Sequence, residues 1–280
     1  PDPVPAGWAC VPAGEYLRGS PDTEPQRDTD ETRHTVALSR PFLIRTTEVT
    51  QGEWAQHFDS QPAWFAAGGP GECRGEGCAD RPVEMVNFYE ALAWLNAQSE
   101  ADGLTPCYDL STCRGTPGLG CDDRDACDGF YVCNPDETVW DMTCDGWRLP
   151  TEAEWEAAAR AGVEEARYGQ TLEQVAWYSL SAQARTHPVG GKAANDLGLH
   201  DMLGNVGEWV WDRYDPDYGI FRPARQVNPD PVGAEFTDTR VIKGCGWKSG
   251  GAFCRFANRE NDVPGSKNNV LGFRAARSVF

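Results

Sequence analysis

The sequence predicts an α+β domain with few helices, many short strands and long loops. Three observations point to it. A Thr or Asn followed three residues later by Glu, the start signal of a helix, occurs at Thr50, Asn87 and Thr151, each time before a short apolar stripe. Apolar runs of strand length recur through the rest of the chain. The connections between them are long and polar, and many carry cysteine, which can tie down segments that have no periodicity of their own.

Residues 8–20 read as a strand ending in a Gly19-Ser20 turn. The next stretch, 21–33, carries Asp22, Glu24, Asp28, Asp30 and Glu31 with Arg27 and Arg33, and reads as a solvated loop. Residues 34–38 and 41–45 resume the strand pattern. Thr50 with Glu53 forms a capping box and sets Trp54 and Phe58 on one helix face. Asn87 with Glu90 opens a second helix, striped by Ala91, Leu92 and Leu95. Thr151 with Glu154 opens a third, carrying Trp155, Ala158 and Ala159, with Gly162 as its stop. Short strands are then expected at 175–179, 186–190, 206–211, 240–247 and 270–275. No internal repeat or domain boundary is visible, so 1–280 reads as a single domain.

The exception is a Cys-rich insertion at about 105–146, with Cys107, Cys113, Cys121, Cys127, Cys133 and Cys144 and almost no apolar periodicity. It has too little apolar surface to order itself without cross-links. Six cysteines allow three bridges in any of fifteen arrangements. The Asp122–Asp128 run does not match the EF-hand spacing, because Cys127 stands where a ligand oxygen is needed, so it reads as a solvated acidic loop. Cys73 and Cys78 are expected to close a small loop; a zinc site would need a second Cys or His pair that the chain does not offer.

A formal charge of −18 and a pI near 4.6 exclude a nucleic-acid partner, whose phosphates require a basic surface. No apolar run reaches the length of a membrane span. Eleven cysteines, many in Gly-, Asp- and Pro-rich loops, point to disulfides and an exported protein: secreted, periplasmic or at the cell surface. The count is odd, so at least one thiol is free or pairs between chains. The opening Pro1-Asp2-Pro3-Val4-Pro5 reads as a trimmed mature end or a linker. A monomer is expected.

The stretch from Gly198 to Asp212 joins a tight Gly204-Asn205 turn to an aromatic strand, with Asp201 and Glu208 on either side. Hard cations such as calcium take carboxylate oxygens together with backbone carbonyls freed by a turn. An ordinary turn with both acids in water is the plainer reading of the spacing.

The same stretch resembles the signature of the formylglycine-generating enzyme family, also called the sulfatase-modifying factor domain. The resemblance extends in order through Val11-Pro12-Ala13-Gly14 with Arg18-Gly19-Ser20, Glu48-Val49-Thr50-Gln51, Arg81-Pro82-Val83, Arg148-Leu149-Pro150-Thr151-Glu152-Ala153-Glu154-Trp155-Glu156 and Gly272-Phe273-Arg274, nearly the whole chain. It implies a fold related to C-type lectins. It also implies calcium on Asp201, Gly204, Val206 and Glu208. The family's second calcium site needs a longer acidic loop than Trp177–Leu197, which is short and holds few acids.

In active members two cysteines five apart bind copper(I), a soft ion suited to thiolates, and oxidise a substrate cysteine to formylglycine. The matching positions here are Ser249 and Cys254, and polar positions nearby are replaced by Gly246 and Gly250. Cys245 stands where most of the family has glycine. Three arrangements are open: Cys245 bridges Cys254, or it bridges Cys10 and leaves Cys254 free, or Cys245 and Cys254 supply two thiolates to a metal. No Gly-x-Ser-x-Gly elbow, His-Glu-x-x-His pair or phosphate loop is present, and His34, His57, His187 and His200 are scattered.

Two functions are therefore expected. One is a module that binds a polypeptide or small-molecule ligand through the 245–269 loops, with Trp247, Lys248, Ser249, Phe253, Asn258, Asn261 and Asn268 on its surface and Phe256 as core or contact. The other is a copper-dependent oxidase working through Cys254 and Cys245.

Overall fold

The structure, a computed structural model, describes residues 4–73, 77–119, 130–169, 171–216, 228–229 and 237–279. The chain runs β1 (Trp8–Val11), β2 (Gly14–Arg18), β3 (His34–Leu38), β4 (Phe42–Arg45), α1 (Gln51–Trp54), α2 (Phe88–Ala101), β5 (Tyr108–Asp109), β6 (Val139–Trp140), β7 (Trp147–Arg148), α3 (Glu152–Arg160), α4 (Leu172–Val175), β8 (Gly207–Arg213), β9 (Asn228–Pro229), β10 (Arg240–Lys243), β11 (Glu260–Asp262), β12 (Leu271–Phe273) and β13 (Ala276–Ser278). This is the expected α+β fold of short elements and long connections.

The strand expected over 8–20 is two strands. Pro12 has no N–H to give a ladder. The chain therefore changes partners there: β1 pairs with β4, Trp8 opposite Arg45, and β2 pairs with β3, Arg18 opposite His34. The first sheet has the order β1-β4-β13-β7, and β2-β3-β9 form another. The runs at 175–179 and 186–190 are not strands. Residues 172–175 form a helical turn, and Trp177 makes only an isolated bridge to Gly204. The backbone of His187 is satisfied by the Asn205 side chain instead of a neighbouring strand.

The three capping boxes form as predicted. At α2, Asn87 Oδ1 accepts from the Glu90 amide and Glu90 accepts from the Asn87 amide, both at 2.9 Å. The helix α3 ends through a left-handed Ala161, and Gly162 continues the reversal.

The sheet β11-β10-β8-β12 is the partition of the molecule. Successive strand residues face opposite ways. Val210 of β8 and Val241 of β10 join one buried cluster with Trp155 and Phe256, while Trp209 and Ile242 join a second with Trp54, Trp94 and Phe273. Both faces are thus covered, and the loops at its ends, 198–206 and 244–259, pack into the first cluster through Leu199, Met202, Leu203, Cys245, Cys254 and Phe256. Strand β12 runs parallel to β8. Gly272 of β12 lets the chain at Val83 come close, since a Cβ there would lie 2.5 Å from the Val83 carbonyl oxygen.

In the insertion, Cys107 pairs with Cys144 and Cys113 with Cys133; Cys73 and Cys78 close the small loop as expected. Cys121, Cys127 and the Asp122–Asp128 run lie outside the described residues. No described helix is long and apolar enough to cross a membrane.

Candidate functional site

Two successive left-handed residues, Gly204 (φ 87°) and Asn205 (φ 58°), make the turn that feeds β8. Only glycine fits at 204, because a Cβ would lie 2.5 Å from the Trp177 carbonyl oxygen. Asn205 tolerates the conformation and uses its side chain on both sides of His187: the His187 amide donates to Oδ1 at 3.0 Å, and Nδ2 donates to the His187 carbonyl at 3.2 Å. The Asn205 carbonyl accepts the Trp247 amide at 2.7 Å, so this turn carries the 245–249 segment. The sequence marked Gly204-Asn205 as a turn and gave no sign of this clasp.

Asp201 and Glu208 are both buried. Arg274 donates to both Glu208 oxygens, with Nη2 2.8 Å from Oε1 and Nε 3.1 Å from each, and Trp155 Nε1 donates to Oε2 at 2.7 Å. Three N–H groups bond this carboxylate, the Nε–H shared between both oxygens. Glu208 thus anchors an arginine. Asp201 differs. Its Oδ2 accepts from the Gly190 amide at 2.6 Å, and its Oδ1 is buried with no hydrogen-bond partner. Burial pushes this carboxyl up to about 6. Glu48, fully buried, has no partner for either oxygen. Burial raises its pKa well above the ordinary value, and the charge of Asp201 adds to the rise. No group of three or more His, Cys, Asp or Glu side chains placed to hold a metal occurs among the described residues. A cation at this loop would therefore also draw on backbone carbonyls, such as those of Gly204 and Val206, or on water. His200 is a packing residue, with Nδ1 2.8 Å from the Lys192 carbonyl.

Cys245 and Cys254 form a disulfide with Cα atoms 5.2 Å apart, the first of the three open arrangements, and Cys10 on β1 is a free cysteine. Cys254 is fully buried. Ser249, at the other copper position, accepts the Gly246 amide on its hydroxyl at 3.1 Å, and its carbonyl accepts the Ser179 amide at 3.1 Å. This donor set does not fit copper(I): one position is a hydroxyl and the other sulfur has no thiolate to give.

Of the residues assigned to a binding surface, Lys248, Phe253 and Asn261 are exposed, and Trp247, Ser249 and Asn268 are half-buried. Asn258 is corrected: it is only 7% exposed, in the turn where its amide donates to the Arg255 carbonyl. Phe256 is core, stacked on Tyr168. Trp247 donates from Nε1 to the Asn269 carbonyl and meets Phe65 edge to face. Phe253 is 51% and Leu180 83% exposed, and Leu180 lines a shallow cleft with Tyr178, Gly251 and Ala252. Leu180 was missed because a lone apolar residue in a loop carries no periodic signal.

The loop 21–33 is not simply solvated. Glu24, Asp30 and Glu31 turn inward beneath the 254–259 turn. Arg255 forks onto Glu31, with both contacts at 2.6 Å, and reaches Glu24 at 2.8 Å. Arg259 pairs with Glu152 at 2.7 Å and with Asp30 at 3.5 Å. Lys243 lies between Glu156 at 3.3 Å and Glu152 at 3.7 Å, and Arg18 closes on Glu152. Burial alone would push Glu152 up, but Arg18, Arg259 and Lys243 hold it well below the ordinary carboxylate range. The layer fixes the turn from below.

A family model described as the sulfatase-modifying factor enzyme 1-like domain matches residues 3–279. The formylglycine-generating enzyme of Streptomyces coelicolor is 35% identical over 303 aligned positions, covering 98% of this chain and 90% of that protein. Chaperone protein LppX of Paenibacillus barcinonensis is 32% identical over 202 positions, 63% of this chain and 64% of its own length. The chain thus spans less than two thirds of the first curated relatives it matches. Among solved structures, Treponema denticola variable protein 1 superposes with a TM-score of 0.80 at 33% identity, covering 97% of this chain and 95% of that one.

Proposed function

Because this chain belongs to the formylglycine-generating enzyme family, we propose that it is an exported, calcium-binding member that holds a polypeptide or other ligand on its 245–269 loops and does not oxidise cysteine. The single observation that supports this is the Cys245–Cys254 disulfide opposite Ser249, which leaves no thiolate pair where the family's copper chemistry takes place. The same cross-link, with the clasp from Asn205 and the ion layer below, makes the loop a rigid platform. Exposed Phe253 and Leu180 then offer apolar anchors, and exposed Lys248 and Asn261 polar contacts, residue types suited to a contact surface. Disulfides in the insertion and at the site favour an oxidising compartment.

A copper-dependent oxidase is the second reading, favoured by the 35% identity to the Streptomyces coelicolor enzyme. It requires the disulfide to open. Copper(I) titration of the native protein, with alkylation of each cysteine mapped by mass spectrometry, separates the two. We expect Cys245 and Cys254 to stay unmodified and to take up no copper. Conversion of a Cys-x-Pro-x-Arg peptide to its formylglycine form would reverse the assignment.

A further inference from the structure

A second cleft, of about 210 Å³, lies between the β3–β4 connection and the Cys-rich insertion. None of the described residues of the 245–269 loops lines it. Leu38, Pro41 and Phe42 give it one apolar wall, and Trp140 and Met142 of the insertion give it another. The insertion wall is fixed in place. The Asp141 amide donates to the Cys107 carbonyl at 2.8 Å, the Cys144 amide donates to the Asp141 carbonyl at 3.1 Å, and the Cys107–Cys144 disulfide ties the two ends together. Arg148 also lines the cleft, its guanidinium 5.1 Å from the centre of the Trp140 ring. That charge is answered within the protein: Arg148 makes two contacts of 2.7 Å with Glu154 and donates to the Ser278 hydroxyl at 3.0 Å and the Leu149 carbonyl at 3.1 Å. Met142, 51% exposed, stands at the rim.

We propose that this cleft binds a small neutral aromatic molecule, one ring system held between Phe42 and Trp140 and covered by Met142. Three observations select that class. An apolar cavity of about 150 Å³ takes up benzene, so this one has room for a ring system with a few atoms more. The walls are apolar and aromatic, and the thioether of Met142 suits a ring edge. The Arg148 and Glu154 charges pair with each other, so a charged ligand would lose its hydration without gaining an unpaired partner there. The backbone argues against a peptide. Strands β3, β4 and β13 each have a ladder partner on both sides, so they present no free edge along which a chain could pair. A polypeptide would gain only one side chain in this cleft. The site owes one wall to the insertion and stands apart from the proposed ligand surface at 245–269.

Methionine methyl resonances test this in the full chain, with indole as the probe. The chain has three methionines, Met85, Met142 and Met202, and the spectrum of Met142→Ala identifies the Met142 signal. Indole is expected to shift that signal alone, and saturably. No saturable shift, or a shift of Met85 or Met202 in its place, overturns the site. Met142 belongs to neither buried cluster, so Met142→Ala should fold as the native protein does. By equilibrium dialysis it should bind indole about tenfold more weakly, and unchanged binding overturns the placement. Benzoate, of similar size but charged, is expected to bind the native protein at least tenfold more weakly than indole; tighter binding of benzoate overturns the neutral class. Tighter binding of N-acetyltryptophanamide than of indole would assign the cleft to a polypeptide side chain and overturn the small-molecule reading.

Discussion

Arg274 and Glu208 meet as a fork in the dry centre of the molecule, Nη2 to Oε1 at 2.8 Å and Nε to both oxygens at 3.1 Å. Through the carbonyls of Arg45 and His200 the same guanidinium also joins the end of β4 to the 198–206 loop. Lysine would keep the charge and lose the planar fork. We expect Arg274→Lys to destabilise the protein by about 3–5 kcal/mol, since it leaves a buried carboxylate poorly paired. Urea unfolding checks this: the midpoint should fall with the slope unchanged. A wild-type midpoint would show that charge alone suffices.

Thr151 caps α3 reciprocally with Glu154, its hydroxyl accepting the Glu154 amide at 3.1 Å and its amide donating to Oε2 at 2.8 Å. Glu154 also holds Arg148 through two contacts of 2.7 Å. Thr151→Ala should cost ~1 kcal/mol in the same assay, and Thr151→Ser almost nothing. Equal losses for the two would mean that the methyl group, not the cap, is what matters.

Stability should fall with rising pH because of Glu84. Burial pushes this carboxyl from its ordinary 4.5 up to about 8, although one oxygen accepts the Phe65 amide at 2.8 Å. A raised acid holds its proton more tightly in the folded than in the unfolded chain. Folding therefore loses stability as pH climbs through that window, at up to ~1.4 kcal/mol per pH unit. Glu84→Gln keeps the acceptor and does not titrate. Melting curves from pH 5 to pH 9 should show the variant gaining on the native protein, and parallel curves would contradict the raised value. Asp201 and Asp212 are also raised, to about 6 and about 7, so the difference between the two proteins, not either curve alone, carries the test.

What the sequence disclosed and what it hid follow from the range of each interaction. The helix starts at Thr50, Asn87 and Thr151 were legible because a cap is decided within four residues. The strand over 8–20 was misjudged because its break depends on which distant strand is available on either side of Pro12. The acids of 21–33 looked solvated because their partners Arg255 and Arg259 lie more than 220 positions away. The partner of Glu208 was hidden for the same reason, since Arg274 follows 66 positions later. Ser249 at the copper position was readable residue by residue, whereas the partner of Cys245 required the fold.

Cys245 sits at φ 66°, a left-handed conformation that costs an L side chain roughly 1–2 kcal/mol and glycine none. Its disulfide closes a sequence separation of only 9 residues, for which chain entropy gives about 2–3 kcal/mol. The cross-link thus persists against local strain at its own first residue. Removing both sulfurs as Cys245→Ala with Cys254→Ala should cost the whole cross-link. Cys245→Gly with Cys254→Ala should recover ~1 kcal/mol of it by relieving the backbone. Paired urea titrations of the two double variants read the difference directly. If the glycine version is no more stable than the alanine version, residue 245 is not strained, and the bridge is held by nothing more than its burial beside Cys254.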